Sequence, residues 1–361
     1  MRRLRLLVLL AAALTLGTLG CAASDGEPLP TVPRLGLVSN TLDWGTQMAA
    51  MQRRSRDLGA GWLREEIRWN EVEPVRGTRR WARTDRLVAS ATRRGLRILP
   101  LLIGTPRWAA PDPTTIPTDP RRYAAFARDV VRRYGPDGAF WRANPDLDRR
   151  FAMAWFELWN EPFLPQFAAD RQDAGTYARL VQAAGNAIHA AHPRARVLAA
   201  MEYEWKTPDG TFRRWVRDVH AAVPELAESY DGVAVHPYSP GAPIGTAAAG
   251  ASKDLRRMEL IREDLRAVGG PTDQVWITEI GWPTCPQRPA CVSRAQQARY
   301  LEQAIRAAGG RYRGWVRALF AYALFDFRPA SGEPLREGAF GLLELDGREK
   351  PAAAVLRRAG R

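Results

Sequence analysis

Two segments carry acids in positions suited to chemistry. The first, Trp155-Phe156-Glu157-Leu158-Trp159-Asn160-Glu161-Pro162, is an apolar run that ends in an amide and a carboxylic acid and is stopped by proline. The second, Val275-Trp276-Ile277-Thr278-Glu279-Ile280-Gly281-Trp282-Pro283, again ends an apolar run in a carboxylate, followed by Gly and Pro turn signals. Two glutamates facing one another across a cleft can divide the work of glycosidic cleavage. One protonates the leaving oxygen and the other attacks the anomeric carbon. Arg64, at the expected end of another apolar run, has the charge to neutralise or orient Glu279. Glu157 reads as a buried structural acid. Simple alternation places Glu157, Trp159 and Glu161 on one face. Strict alternation cannot turn both Asn160 and Glu161 inward, so a bulge or a rotated strand end is required.

The elements that must position these residues follow from hydrophobic period. Strands are expected at 35–39, 61–64, 96–103, 151–158, 196–200, 232–235, 274–279 and 317–324. Helices are expected near 46–58, 84–94, 121–134, 174–191, 211–223, 254–268, 294–308 and 350–358. Tyr123, Phe126, Ala127, Val130, Val131 and Tyr134 show the spacing of a one-sided helix. Eight strand–helix pairs predict an α/β protein built as a single (β/α)₈ TIM barrel over 34–361, a two-domain or open-sheet α/β protein being the alternative. Glu161 and Glu279 end the fourth and seventh strands, which puts them on the same rim, where the reacting groups of such barrels lie.

Composition bounds the rest. The 361 residues are 46% hydrophobic and 25% charged, which argues against long disorder, and the net charge is +14. The basic residues are interspersed with acids, as in Arg262-Glu263-Asp264, so a dedicated nucleic-acid binder is not expected. Arg2, Arg3 and Arg5 precede an apolar run from Leu6 to Leu16, too short to span a bilayer comfortably but suited to a secretory signal. Residues 1–21 are therefore expected to be a signal peptide. Its Gly20-Cys21-Ala22 junction resembles a bacterial lipoprotein signal with Cys21 acylated, and plain secretion or an uncleaved anchor are the alternatives. Residues 22–33 read as a Pro-rich tether. Cys285 and Cys291 flank a turn-rich stretch that would close a small disulfide loop in an exported protein, with two free thiols as the alternative. His189, His192, His220 and His236 show no ligand spacing with the cysteines, so neither metal nor cofactor is expected.

Trp159-Asn160-Glu161-Pro162 together with Thr278-Glu279-Ile280-Gly281-Trp282 resembles glycoside hydrolase clan A, the retaining (β/α)₈ glycosidases. Trp69 with Glu73-Pro74, Pro106-Arg107-Trp108-Ala109, Tyr134-Gly135-Pro136 and His236-Pro237-Tyr238 extend the likeness over residues 60 to 350. The combination is most similar to glycoside hydrolase family 39 and its neighbours. The resemblance implies Glu161 as general acid/base, Glu279 as nucleophile, Asn160 on the sugar 2-hydroxyl, Tyr238 holding the Glu279 carboxylate, and His236 supporting that network. An acid beside Trp159 would be desolvated and so stay protonated near neutrality. Trp69, Trp108, Trp205 and Trp282 fall in expected rim loops, and Trp108 and Trp282, nearest the motifs, are the preferred sugar platforms.

Two departures from the family pattern stand out. Phe163 occupies a place where many relatives have asparagine, and the eighth strand has no tryptophan, leaving Tyr322 or Phe325 to substitute. The expected function is an exported retaining glycoside hydrolase acting on a β-linked oligo- or polysaccharide. It would work as a monomer that meets the membrane only through a lipid anchor. A catalytically inactive carbohydrate-binding barrel and an envelope transglycosylase are the alternatives.

Overall fold

The computed structural model describes residues 29–169, 173–238, 255–286, 291–328 and 335–361. The signal segment, Cys21 and most of the 22–33 stretch lie outside the described residues. The described end of that stretch is laid against the barrel. Val32 is buried, and a Cβ on Gly309 would meet the Pro30 carbonyl oxygen at 2.9 Å.

The strands are β1 (Leu35–Val38), β2 (Trp62–Arg68), β3 (Arg97–Ile103), β4 (Trp155–Leu158), β5 (Arg196–Ala200), β6 (Gly232–Val235), β7 (Val275–Ile280) and β8 (Val316–Tyr322). They pair in parallel with their sequence neighbours, and β1 pairs with β8 from Leu35↔Leu319 to Val38↔Tyr322, which closes the barrel. The eight outer helices are α1 (Met48–Asp57), α2 (Ala82–Thr92), α3 (Pro120–Tyr134), α4 (Ala174–Ala191), α5 (Trp215–Ala222), α6 (Arg257–Ala267), α7 (Arg294–Gly309) and α8 (Pro351–Ala359). This is the (β/α)₈ architecture expected from the sequence. All six apolar positions picked out on α3 are buried. Its start is fixed by Asp119, whose side chain caps the Arg121 amide, and by Pro120. Ser293 and Gln296 form a reciprocal capping box at the start of α7.

Most boundaries fall within one or two residues of expectation, and the three largest differences are at β2, β4 and α5. β2 runs four residues past Arg64, so Arg64 sits inside the strand rather than ending it. β4 begins at Trp155 because Arg149–Phe151 forms a 3-10 turn instead. Ahead of α5, Phe212–Arg214 pairs antiparallel with Glu204–Lys206 as a hairpin.

The barrel interior is layered. Its lower and middle parts hold Leu99, Leu198, Ala234, Trp276, Ala318 and Phe320, with Trp62 and Trp155 packed against them. Phe320 requires Gly36 opposite, since a Cβ there would sit 2.5 Å from its ring. Above this apolar plug the inward positions turn polar.

Candidate active site

Arg64 is the third residue of β2, and alternation sends it inward while Leu63 and Glu65 face the helices. Its guanidinium grips Glu157 of β4 with two bonds, Nε to Oε2 at 2.7 Å and Nη2 to Oε1 at 3.0 Å. Nη2 also donates to Asn160 Oδ1 at 2.8 Å, and Nη1 donates to Glu279 Oε1 at 2.6 Å. All four side chains are almost wholly buried. Burial disfavours the cation, but the Glu157 and Glu279 charges outweigh it and raise the Arg64 pKa. A fixed fork of donors thus ties three elements of the rim to one point.

Two local irregularities aim the glutamates. Beyond β4, Trp159 and Glu161 both adopt left-handed φ, 65° and 37°. This conformation costs an L-residue about 1–2 kcal/mol. Alternation therefore fails at Trp159. Its ring leaves the Glu157 face to pack on Tyr123 of α3 at 5.9 Å, and its Nε1 donates to the Phe167 carbonyl. Glu161 itself is buried, as expected of a desolvated acid. On β7, the register against β8 steps from Ile277↔Leu319 to Ile280↔Ala321, an extra residue in β7. That bulge lets consecutive Thr278 and Glu279 both reach the interior network.

Glu161 Oε1 lies 2.9 Å from His236 Nδ1, and Glu279 Oε2 lies 3.8 Å from the same nitrogen. Laying those two legs end to end caps the gap between the two carboxylate oxygens. The cap accommodates the about 5–5.5 Å of direct attack and leaves only the narrow end of the about 6.5–9.5 Å inverting range. Tyr238 donates to Glu279 Oε2 at 2.6 Å. Burial first, and then the Glu279 charge, push the Tyr238 pKa well above its usual value, so the phenol remains a donor.

The far side of His236 fixes its tautomer. Thr278 donates its single hydroxyl proton to Glu157 Oε1 at 3.1 Å, so the Thr278 oxygen accepts from His236 Nε2 at 3.0 Å. With Nε2 carrying hydrogen, a neutral His236 would leave a lone pair on Nδ1 for a protonated Glu161, and a charged one would donate Nδ1–H to the Glu161 carboxylate. Burial opposes charge on the imidazole, but Glu279 and the Glu161 hydrogen bond outweigh it and raise the His236 pKa. The Nδ1–Oε1 contact at 2.9 Å therefore shares one proton, on Glu161 when the imidazole is neutral and on Nδ1 when it is charged.

The structure brings Glu161, Glu279, Asn160, His236, Tyr238 and Arg64 into one cluster. Neither of the two preferred tryptophans is hydrogen-bonded to that cluster. Trp282 is 1% exposed and packs edge-on against Tyr300 of α7 at 5.7 Å, so it offers no open face. Trp108 donates to the Glu73 carbonyl at 2.8 Å and abuts Trp69 at 5.3 Å, away from the carboxylates' hydrogen-bond network. Trp69 and Trp205 are buried as well. The aromatic side of the cluster is instead Tyr322, 6.2 Å from Tyr238 and 5.4 Å from Phe340. Thr278 was missed as a functional residue; its place two positions after inward Trp276 was the available signal. Cys285 and Cys291 are joined in a disulfide after β7, Cα to Cα 5.3 Å.

No family model matches this chain, and none of the curated proteins is detectably similar. Among solved structures it resembles a monomeric beta-xylosidase from Caulobacter crescentus, with TM-score 0.64 and 19% identity over 92% of this chain and 68% of that one. A family 39 glycoside hydrolase from Bacteroides cellulosilyticus gives TM-score 0.61 and 20% identity over 91% of this chain, which spans only 64% of that enzyme's length. A GH5_18 protein from Streptomyces cattleya, solved in complex with Manb1-4GlcNAc, gives TM-score 0.63 and 18% identity, covering 91% of this chain and 80% of that one. At this identity the likeness establishes the barrel fold, the same fold in which the clan A resemblance of the motifs was read.

Proposed function

We propose that this protein is a retaining glycosidase acting on a β-linked glycan, with Glu279 as nucleophile and Glu161 as acid/base. One observation carries the reading: the two carboxylates sit in opposite protonation environments around a shared histidine. Glu279 accepts from Arg64 and Tyr238, both fixed donors, which favours the anion. Glu161 faces an imidazole nitrogen with which it shares one proton, and the Thr278–Glu157 relay makes that nitrogen an acceptor whenever His236 is neutral, which lets Glu161 carry the proton. Glu279 would attack the anomeric carbon while Glu161 gives its proton to the departing oxygen. Glu161, then ionised, would take a proton from the water that releases the sugar. Asn160, whose Oδ1 is held by Arg64, keeps its amide hydrogens for a sugar hydroxyl. That the fold neighbours include a family 39 glycoside hydrolase and a beta-xylosidase supports the same class of reaction.

Screening aryl glycosides identifies the sugar, and a 2-fluoro derivative of that sugar with a good leaving group tests the roles. It is expected to label Glu279. Labelling of Glu161 reverses the assignment, and inversion of anomeric configuration in the product rejects it. We also propose export with Cys21 acylated. A Cys21→Ser protein that stays equally processed and equally membrane-associated rejects that part.

A further inference from the structure

The loop that carries Glu161 continues directly into the wall of a cavity of about 600 Å³. Leu164 N–H bonds back to the Glu161 carbonyl at 2.9 Å, so acid and wall share one turn. Phe163, Leu164 and Pro165 form the inner side, and Trp205, Pro208 and Phe212 of the hairpin region face them. The floor is firm. Trp215 packs between Phe163 at 5.7 Å and Trp205 at 5.2 Å, and Trp205 Nε1 is anchored on Asp218 at 2.7 Å. The Phe212 ring, by contrast, is 68% exposed, an apolar surface without cover at the mouth.

Of the charged lining, Lys206 is exposed, and Asp209 accepts from the Thr207 hydroxyl and the Thr211 amide. Arg257 pairs with Glu204 at 3.4 Å and with Glu202 at 3.9 Å, so it presents no uncompensated cation. A sugar ring lodged here would bring several hydroxyls to a mainly apolar wall, and hydroxyls buried without partners are costly. The volume lies in the ordinary range for small-ligand sites.

The geometry points to this cavity as the seat of the leaving group, and to an apolar aglycone, aryl or alkyl, as its occupant. Taking the pocket as the leaving-group side rests on the glycosidase reading, in which Glu161 protonates the departing oxygen. The apolar character of the pocket rests on its walls alone.

Umbelliferone, a flat aromatic phenol released by fluorogenic glycosides, separates the two. Titrated into the full protein by fluorescence, it is expected to bind saturably. Phe212→Ala is expected to weaken that binding about five- to tenfold, since it strips one large apolar face, and Phe212→Leu to restore most of it. With the sugar identified by screening, Phe212→Ala is also expected to lower the octyl-over-methyl preference in kcat/KM by a similar factor. Absence of saturable binding, or binding indifferent to Phe212→Ala, overturns the apolar site. Equal losses on octyl and methyl glycosides overturn the leaving-group assignment. A protein that turns over no glycoside but binds umbelliferone through Phe212 keeps the apolar site and rejects the glycosidase reading.

Discussion

An arginine marks each end of this barrel, one buried and one half-buried, and the two are stabilised in opposite ways. At the top, Arg64 is surrounded by oxygen acceptors of Glu157, Asn160 and Glu279. At the bottom, Arg34 lies over the Trp276 ring at 4.8 Å, near Trp62 at 5.9 Å and Trp155 at 6.0 Å, and donates to the Arg317 carbonyl. Among the described residues no carboxylate pairs with it. Burial, then the charges of Arg317 and Arg97, lower its pKa, whereas that of Arg64 is raised. The strands' N-terminal end has only to be plugged, and aromatic faces suffice for that. The C-terminal end has to keep carboxylates ionised in a buried place, so it needs a cation with fixed geometry. The same residue type serves packing at one end and charge placement at the other.

The largest effect is expected from Arg64→Met. It leaves Glu157 and Glu279 facing each other without their cation, and breaking a buried pair from one side costs about 3–5 kcal/mol. Activity should fall at least about a thousandfold, because Glu279 loses the guanidinium that fixes its attacking carboxylate. Adding Glu157→Gln should recover stability in urea titrations but not activity. Recovery of both would show that Arg64 acts only through Glu157.

One residue along β2 the comparison sharpens. Glu65 faces outward, wholly buried, accepting from Ser39 Oγ, the Thr41 amide and Thr41 Oγ1. Burial pushes its pKa up to about 7, against the pull of those hydrogen bonds. The native state therefore binds a proton that the unfolded chain, near the ordinary value of 4.5, has released. This contribution to stability is fully present below about pH 4.5 and is lost as pH rises through about 7, roughly 3 kcal/mol in all. Glu65→Gln should flatten that part of the stability–pH curve; an unchanged slope would place the titration elsewhere.

This strand also shows why sequence reading stopped where it did. The run Arg64-Glu65-Glu66 looks like a strand end, because charges in succession suggest solvent. Inside a barrel they alternate between the central network and the helix layer, and both destinations are buried. The eight strands and eight helices were legible because apolar period survives at the helix-facing positions. Glu161, Glu279 and their neighbours were legible because their motifs fall at strand ends. The breaks in alternation were only half visible. The rotation near Asn160 follows from counting faces, but the β7 bulge depends on pairing with β8, which no local pattern in β7 records. Nor does a tryptophan's residue type say which face it takes. Trp282 is covered by Tyr300 from α7, and Trp159 is turned by its own backbone.

A smaller effect should come from Thr278→Val, which keeps shape and removes the hydroxyl. Without it His236 Nε2 has no acceptor and is free to carry its hydrogen on Nδ1 instead, where it donates to Glu161 and favours the carboxylate. The alkaline limb of the pH–rate profile should then move down by about one unit, with about tenfold less activity near neutrality. Thr278→Ser should restore the wild-type profile. A uniform loss with no shift of the limb would mean that Thr278 only supports packing.

The smallest effect is expected where the barrel carries no chemistry. Arg34→Met removes a cation whose ring contacts are worth about 0.5–2 kcal/mol, but it also removes the penalty of burying that cation without a carboxylate. The two largely offset, and methionine still covers part of the Trp276 face. Unfolding in urea should shift by about 1 kcal/mol or less, and turnover per folded molecule should stay at the wild-type level. A tenfold fall in turnover with stability intact would show that the bottom plug sets the inclination of β2 or β7 and, through it, the placement of Arg64 and Glu279. The ends of the barrel would then be coupled through the packed column of Trp62, Trp155 and Trp276 rather than independent. Because sites this far apart with no shared partner normally behave additively, the double variant Arg34→Met/Arg64→Met decides between the two. Independent ends give the sum of the single losses, and a coupled barrel gives less.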